Sequence, residues 1–363
     1  MRAVWDDAAT LSHALAFEAA LAQAEAAEGL LDDLTAEAIV AACAALPIDP
    51  DALAEEAAHA GTLAIPLVRH LRGAAGEAGP AVHRGATSQD LADTVLSRQI
   101  RAAARLIQAD LDRITAALAP LARETAGMPA MGRTLLQDAL PIGFGLRVAQ
   151  WHAGIAAAGR RLTREVDPGA TLQFGGAAGT RAGLNGKGAA IAAHLAAALG
   201  LLPAAPWHAR REGMAGIAAA TGIAIGALGK MARDISLLAQ NAIGEAREPA
   251  VAGRGGSSAM AHKRNPTGCQ IALAAATRAP GLVATLLGAS PAEAERGLGG
   301  WQAEGPVMAD LFLLAAGAAH AMAAVAEGLE IDGEAIARNL SAGTVGADIG
   351  ESEDLVARLL EAR

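Results

Sequence analysis

The chain contains no tyrosine and only four phenylalanines and four tryptophans, so aromatic residues make up 2% of its 363 positions. That scarcity argues against an all-β fold, whose half-buried strands draw on Tyr and Phe beside Val, Ile and Thr. It also argues against binding of single-stranded nucleic acid on aromatic platforms. Charge is sparse too, at 18%, and its balance is acidic, with a net charge of −9. Such a surface exerts no general attraction on nucleic acid or on anionic membrane, although it leaves room for a small basic pocket that takes an anionic metabolite. Cys43 and Cys269 make at most one pair and form no C-x-x-C, which points to a reducing, cytoplasmic setting rather than a disulfide framework. The opening residues, MRAVWDDAAT, have no basic-then-apolar leader pattern. The longest charge-free stretches, Leu311 to Ala326 and Gly213 to Gly229, are Ala/Gly-rich and fall short of the ~20 strongly apolar residues of a membrane span. The expectation is a soluble chain.

What is abundant is small and apolar. Hydrophobic residues reach 53%, which excludes disorder, and Ala, the best helix former, lets helices approach closely. At about 150 residues per domain the length suggests two or three domains. Short helices are expected up to about Gly85, with Asp6 to Gly29 and Thr35 to Leu46 the clearest. After a Gly/Pro loop, Thr87 followed by Asp90 resembles a capping box that opens close to forty residues of 3–4 apolar spacing. Further helices are expected over about Ala139 to Val166, Pro206 to Glu245, Thr267 to Leu287 and Gln302 to Leu329, with two short ones in the tail. No strand pattern longer than a few residues and no fixed-period repeat is visible. The fold class predicted is all-α: an elongated central bundle of long helices over 86–330, a small helical N-terminal domain over 1–85, and a short C-terminal helical stub over 331–363.

The most informative segment is Gly255-Gly256-Ser257-Ser258-Ala259-Met260-Ala261-His262-Lys263-Arg264-Asn265-Pro266. It places hydroxyls, cations, an imidazole and an amide on a glycine hinge between two long helices. Ser257, if desolvated among N–H donors, suits a proton acceptor, and Lys263 and Asn265 suit a carboxylate and the charge that develops on it. The plainer interpretation is a solvated linker with a helix start at Asn265-Pro266.

The same segment resembles the G-S-S-x-M-P-x-K-x-N-P signature of the fumarase/aspartase superfamily, departing at one fixed position, where Ala261 stands for Pro. Two further superfamily regions appear in order, Gly85-Ala86-Thr87-Ser88-Gln89-Asp90 and Gly132-Arg133-Thr134-Leu135-Leu136-Gln137. The resemblance covers nearly the whole chain. It implies removal of a proton alpha to a carboxylate, an aci-carboxylate intermediate, and departure of a group from the adjacent carbon. It makes Ser257 the base with Ser258 beside it, and sets Lys263 and Asn265 on the substrate carboxylate. Thr87 and Ser88, at a helix N-terminus, would bind another carboxylate. Gln137, Arg133 and His83 would add substrate contacts, with Arg84, Arg181 and Arg264 as further cations. The resemblance also implies a homotetramer whose active sites combine motifs from different subunits.

The second region departs where amine-expelling members carry His after the Thr; this chain has Leu135. An amine needs protonation to leave, whereas a carboxylate, with a conjugate acid near pKa ~4, needs none. Leu135 therefore fits an intramolecular carboxylate leaving group, that is, lactone opening and its reverse. The runs Leu15 to Ala22, His83 to Asp90, Gln173 to Thr180, Ala205 to His208 and Gly300 to Glu304 resemble the bacterial 3-carboxy-cis,cis-muconate cycloisomerase branch. That implies a small tricarboxylate substrate within protocatechuate (beta-ketoadipate) catabolism, in the cytoplasm.

Two other interpretations stand beside it: a fumarate-releasing lyase of the adenylosuccinate lyase kind, and a structural paralogue without activity. Leu135 counts against the first, and the intact Ser257, Lys263 and Asn265 against the second. Asp90 and Glu304 are expected as capping or ion-pair residues, and His208 and His152 as packing elements. No metal site is expected, since no H-x-x-x-H occurs. Gly175 to Gly179 lacks the preceding strand of a dinucleotide loop, so no cofactor is expected. Neither nucleic acid nor membrane is expected as a partner.

Overall fold

A computed structural model describes residues 1–251, 253, 255–256, 260 and 263–361. In chain order the helices are α1 (Arg2–Trp5), α2 (Asp7–Ala27), α3 (Asp33–Ala45), α4 (Pro50–Ala60), α5 (Ala64–Ala74), α6 (Ser88–Glu124), α7 (Phe144–Gly169), α8 (Gly188–Leu199), α9 (Glu212–Leu238), α10 (Thr267–Gly288), α11 (Gly300–Glu327), α12 (Gly333–Ala342) and α13 (Ser352–Glu361). The all-α class expected from composition is the class observed. Four starts are set by Asp carboxylates that accept a first-turn N–H: Asp6 from Ala9, Asp32 from Thr35, Asp49 from Asp51 and Asp332 from Ala335. The expected α6 is a single helix of 37 residues, roughly 55 Å long.

Two expectations are corrected. The segment expected to begin a helix at Ala139 is part of an antiparallel hairpin, β1 (Pro129–Thr134) and β2 (Gln137–Gly143), and α7 starts only at Phe144. The turn is Leu135-Leu136, both at positive φ, 53° and 64°. A two-residue turn of this kind is usually announced by Asn-Gly, and leucines give no such signal. The strands also approach each other closely: a Cβ on Gly132 would sit 2.4 Å from the Leu140 carbonyl oxygen. The second correction concerns α9, which begins at Glu212 rather than Pro206. Trp207 to Arg211 is instead tied by side chains to distant segments. The Trp207 amide donates to Gln173 Oε1 and its indole to the Leu172 carbonyl, each at 3.0 Å. A short strand pair, β3 (Ala246–Arg247) with β4 (Glu330–Ile331), completes the regular structure.

The chain divides into two compact units. The first comprises 1–104, 164–218 and 284–309, and the second 105–163, 219–283 and 310–363. The first unit packs α2 against α8 around Phe17, Leu21, Leu67, Leu91, Phe174, Ile191 and Leu195, and against α3 around Ile39, Cys43, Val68 and Leu71. The second buries Ile107, Leu111, Phe144, Val148, Met231, Ile235 and Phe312. In it Ser352, at the start of α13, accepts a hydrogen bond from the Gly143 amide at 3.0 Å.

Three helices, α9, α10 and α11, are long and apolar enough to cross a membrane by length and composition. Counting only charge-free stretches understated this, because each helix tolerates one or more charged residues within its length, Arg278 alone in α10.

Candidate active site

Within the first unit, the motif before α6 is organised by Asp90. Its carboxylate is fully buried. Oδ2 accepts the Thr87 amide at 2.9 Å and the Gly176 amide at 2.8 Å. Oδ1 accepts the Gly175 amide at 2.9 Å and lies 2.7 Å from His208 Nε2. Asp90 is thus the cap the sequence predicts, and it also binds the glycine-rich segment to the motif. Gly176 is required there: its φ is 72°, and a Cβ would sit 2.8 Å from the Gly85 carbonyl oxygen. His208, expected as a packing element, is buried against this carboxylate.

Thr87 and Ser88 are half-buried at the N-terminus of α6. Arg296 donates to the Thr87 hydroxyl, a cation that sequence reading did not single out. Ser88 and His83 line one cavity of about 380 Å³ together with Arg72, Arg69, Ile65 and Val68. The other cations named from sequence in this unit are committed elsewhere. Arg84 donates to the Leu30 carbonyl, and Arg181 to the carbonyls of Phe174 and Ala204.

Behind α6 lies a buried ionic network. Arg211 donates to both oxygens of Asp93, at 2.8 and 2.9 Å, and its Nε donates to Glu304 at 3.0 Å. The guanidinium lies over the Trp207 ring, 4.7 Å from its centroid. Glu304 is the ion-pair residue expected. Asp93 and Arg211 were missed, because their pairing spans 118 residues and no local spacing betrays it.

In the second unit, Arg133 on β1 grips the fully buried Glu245 through two bonds of 3.0 and 2.6 Å. That pairing, above all the hydrogen bonding to Glu245, raises the already high pKa of Arg133. Glu245 also accepts from Asn339 at 2.8 Å. Gln137 opens β2 and is exposed, as are Leu135 and Leu136 at the turn, 96% and 75% exposed. Arg133, Leu136 and Arg147 line a cavity of about 730 Å³ with Trp151, Lys230 and Asp234.

The signature loop is closed at its neck. The Asn265 amide donates to the Gly255 carbonyl at 2.7 Å, and a Cβ on Gly255, whose φ is 73°, would lie 2.6 Å from the Asn265 carbonyl oxygen. Glu248 caps α10 by accepting the Gly268 and Cys269 amides. Lys263 is exposed and Asn265 half-buried. Arg264 is held by Glu330 and the Glu248 carbonyl. Ser257 and Ser258, the expected base and its neighbour, lie outside the described residues, as do Ala261 and His262. The structure therefore gathers His83, Thr87 and Ser88 in the first unit. It sets Arg133 and Gln137 on the hairpin, and Lys263 and Asn265 on the closed loop, of the second.

The all-α fold of long helices is that of a lyase family, as the comparisons show. The family model described as Lyase matches residues 1–281. A 3-carboxy-cis,cis-muconate cycloisomerase from Bradyrhizobium diazoefficiens is 47% identical, over 94% of this chain and 77% of its own length. One from Pseudomonas aeruginosa is 48% identical, over 94% of this chain and 75% of its own length. The crystal structure of 3-carboxy-cis,cis-muconate lactonizing enzyme from Pseudomonas putida superposes with a TM-score of 0.89 at 42% identity, covering 99% of this chain and 84% of that one. The chain belongs to this lyase family, within the fumarase/aspartase superfamily.

Proposed function

We propose that this chain interconverts 3-carboxy-cis,cis-muconate and 4-carboxymuconolactone in the catabolism of protocatechuate. The observation that carries this reading is the 47% identity to a cycloisomerase over 94% of the chain. Leu135 supports it: the turn that would present a general acid presents an apolar side chain, 96% exposed in the single chain.

In the lactone-opening direction, Ser257 takes the proton from the carbon alpha to a carboxylate. The electron pair enters that carboxylate, the adjacent carbon–oxygen bond of the lactone breaks, and the ring oxygen leaves as a carboxylate. Lactonisation is the reverse: a carboxylate oxygen adds to the diene and one proton is delivered to the alpha carbon. The intermediate carries extra charge on an anion, so cations and N–H donors must already be in place. Lys263 and Asn265 take that carboxylate. Thr87 and Ser88, at the positive end of α6, take a second, with His83 beside them. Gln137 adds a polar contact. Arg133 acts from its fixed position against Glu245.

The working assembly in this proposal is a cytoplasmic homotetramer with composite sites. The most apolar stretch of α10 is only 22% buried within the chain, and an uncovered apolar helix of this length favours a partner helix.

The test is turnover of 3-carboxy-cis,cis-muconate, followed as loss of diene absorbance, beside adenylosuccinate and argininosuccinate. Loss with the muconate alone supports the reading. Fumarate release from a succinyl compound without loss of the muconate overturns it.

A further inference from the structure

Helix α2 carries two buried carboxyls that the proposed reaction does not use. Glu18 and Glu25 stand seven residues apart on α2, so they share a face of that helix. Both are about 1% exposed. Glu18 Oε1 lies 2.6 Å from His83 Nδ1. Glu18 Oε2 and both oxygens of Glu25 have no hydrogen-bond partner among the described residues. His83 itself stands at φ 63°, the left-handed region that a side chain adopts only when its surroundings hold it there.

The charged groups around the ring come from every neighbouring element. Glu18 acts on it from α2, Asp90 from α6 and Arg72 from α5, while Arg69 lines the same cavity and Arg84 adjoins it in the loop. Burial disfavours the charged imidazole, and Arg72 acts in the same sense. The Glu18 carboxylate, by charge and by hydrogen bond, together with Asp90 outweighs them, and the pKa of His83 is raised. Burial, reinforced by Glu18 and opposed by Arg84, pushes Glu25 up to about 7. Glu25 therefore keeps its proton toward neutral pH.

A carboxylate on one ring nitrogen fixes tautomer and orientation and leaves the other nitrogen for a ligand. We propose that Glu18 is a positioning residue, which holds His83 with Nδ1 donating to it and Nε2–H presented to the cavity shared with Ser88, as the cationic wall of a substrate carboxylate subsite. This rests on the cycloisomerase reading above. Glu18 touches no substrate; it acts through His83.

The experiment is kcat and KM against pH for wild type, Glu18→Gln and His83→Gln, with the muconate as substrate and circular dichroism as the check on folding. In the wild type KM rises as pH passes above the raised His83 pKa, while kcat changes little. Glu18→Gln keeps the shape and removes the charge. Its rise begins at lower pH, and its KM at pH 7.5 is several-fold higher, with kcat within about threefold. His83→Gln has a high KM without that pH dependence. A Glu18→Gln profile that superimposes on the wild type, or a fall in kcat at unchanged KM, overturns the assignment. If Glu18→Gln fails to fold, His83→Gln decides, and an unmoved KM profile there overturns it equally. A wild type that does not turn over the muconate refutes the proposed function instead, so the two failures are distinct.

Discussion

Asp90 Oδ1 and His208 Nε2 lie 2.7 Å apart although 118 residues separate them in the chain. The same carboxylate accepts the amides of Thr87, Gly175 and Gly176, so one side chain fixes both the start of α6 and the glycine-rich segment against it. Removing it strands several buried donors, at roughly 1–3 kcal/mol each. Asp90→Ala is expected to cost about 3 kcal/mol or more in chemical denaturation and to raise KM with it. Asp90→Asn, which still accepts through its carbonyl oxygen, is expected to cost less.

That cap was legible in the sequence, because its two ends are three residues apart. The long helices were legible for the same reason: apolar spacing repeats locally. What was not legible is set by distant partners. Nothing near Pro206 signals that Trp207, His208 and Arg211 bond to Leu172, Gln173, Asp90 and Asp93 instead of continuing α9. The hairpin escaped because Leu135-Leu136 takes a turn that usually needs Asn-Gly. Of the proposed site, Thr87, Ser88, Lys263 and Asn265 are named from motif positions. Arg296, beside Thr87, and Glu18, beside His83, carry no motif.

Glu25 makes stability depend on pH in a direction opposite to an ordinary salt-bridged carboxylate. Its folded pKa is raised from 4.5 to about 7, first by burial. The fold therefore bears no penalty below pH 4.5, and loses stability as pH climbs from there to about 7, by on the order of 3 kcal/mol. His83, also raised, adds stability below about 6.5 that is lost as pH rises through its folded pKa. His13 and His152, held down first by burial, act in the other sense. The discriminating quantity is thus a difference: Glu25→Gln is expected to gain stability over wild type at pH 8 and not at pH 4.5, by urea denaturation at both.

Arg211 is the only cation bonded to both Asp93 and Glu304 among the described residues. Breaking a buried network by removing its shared member leaves uncompensated charge, at about 3–5 kcal/mol. Arg211→Met is expected to lower the unfolding midpoint sharply. Adding Asp93→Asn and Glu304→Gln is expected to recover part of the loss, since the charges left behind are then gone.

Leu135→His places an imidazole at the turn where the superfamily resemblance implies one for amine-expelling members. With a carboxylate leaving group that acid has nothing to protonate. The expected kcat on the muconate stays within about threefold of wild type, or falls. A gain above tenfold, in the range a useful general acid contributes, would show that the leaving group needs a proton.

Light scattering on eluting active enzyme is expected to give the mass of four chains, with α10 as part of the contact. Charged substitutions at exposed apolar positions of α10, such as Ile271→Asp, are expected to break the assembly and abolish turnover together. A monomer with full activity would contradict composite sites.

The most direct measurement is lactonisation in deuterium oxide, with the product examined by NMR and mass spectrometry. Proton transfer at the carbon alpha to a carboxylate, with intramolecular carboxylate addition, predicts one deuterium per lactone at that carbon and no fumarate. A lactone without deuterium, or fumarate among the products, would contradict it.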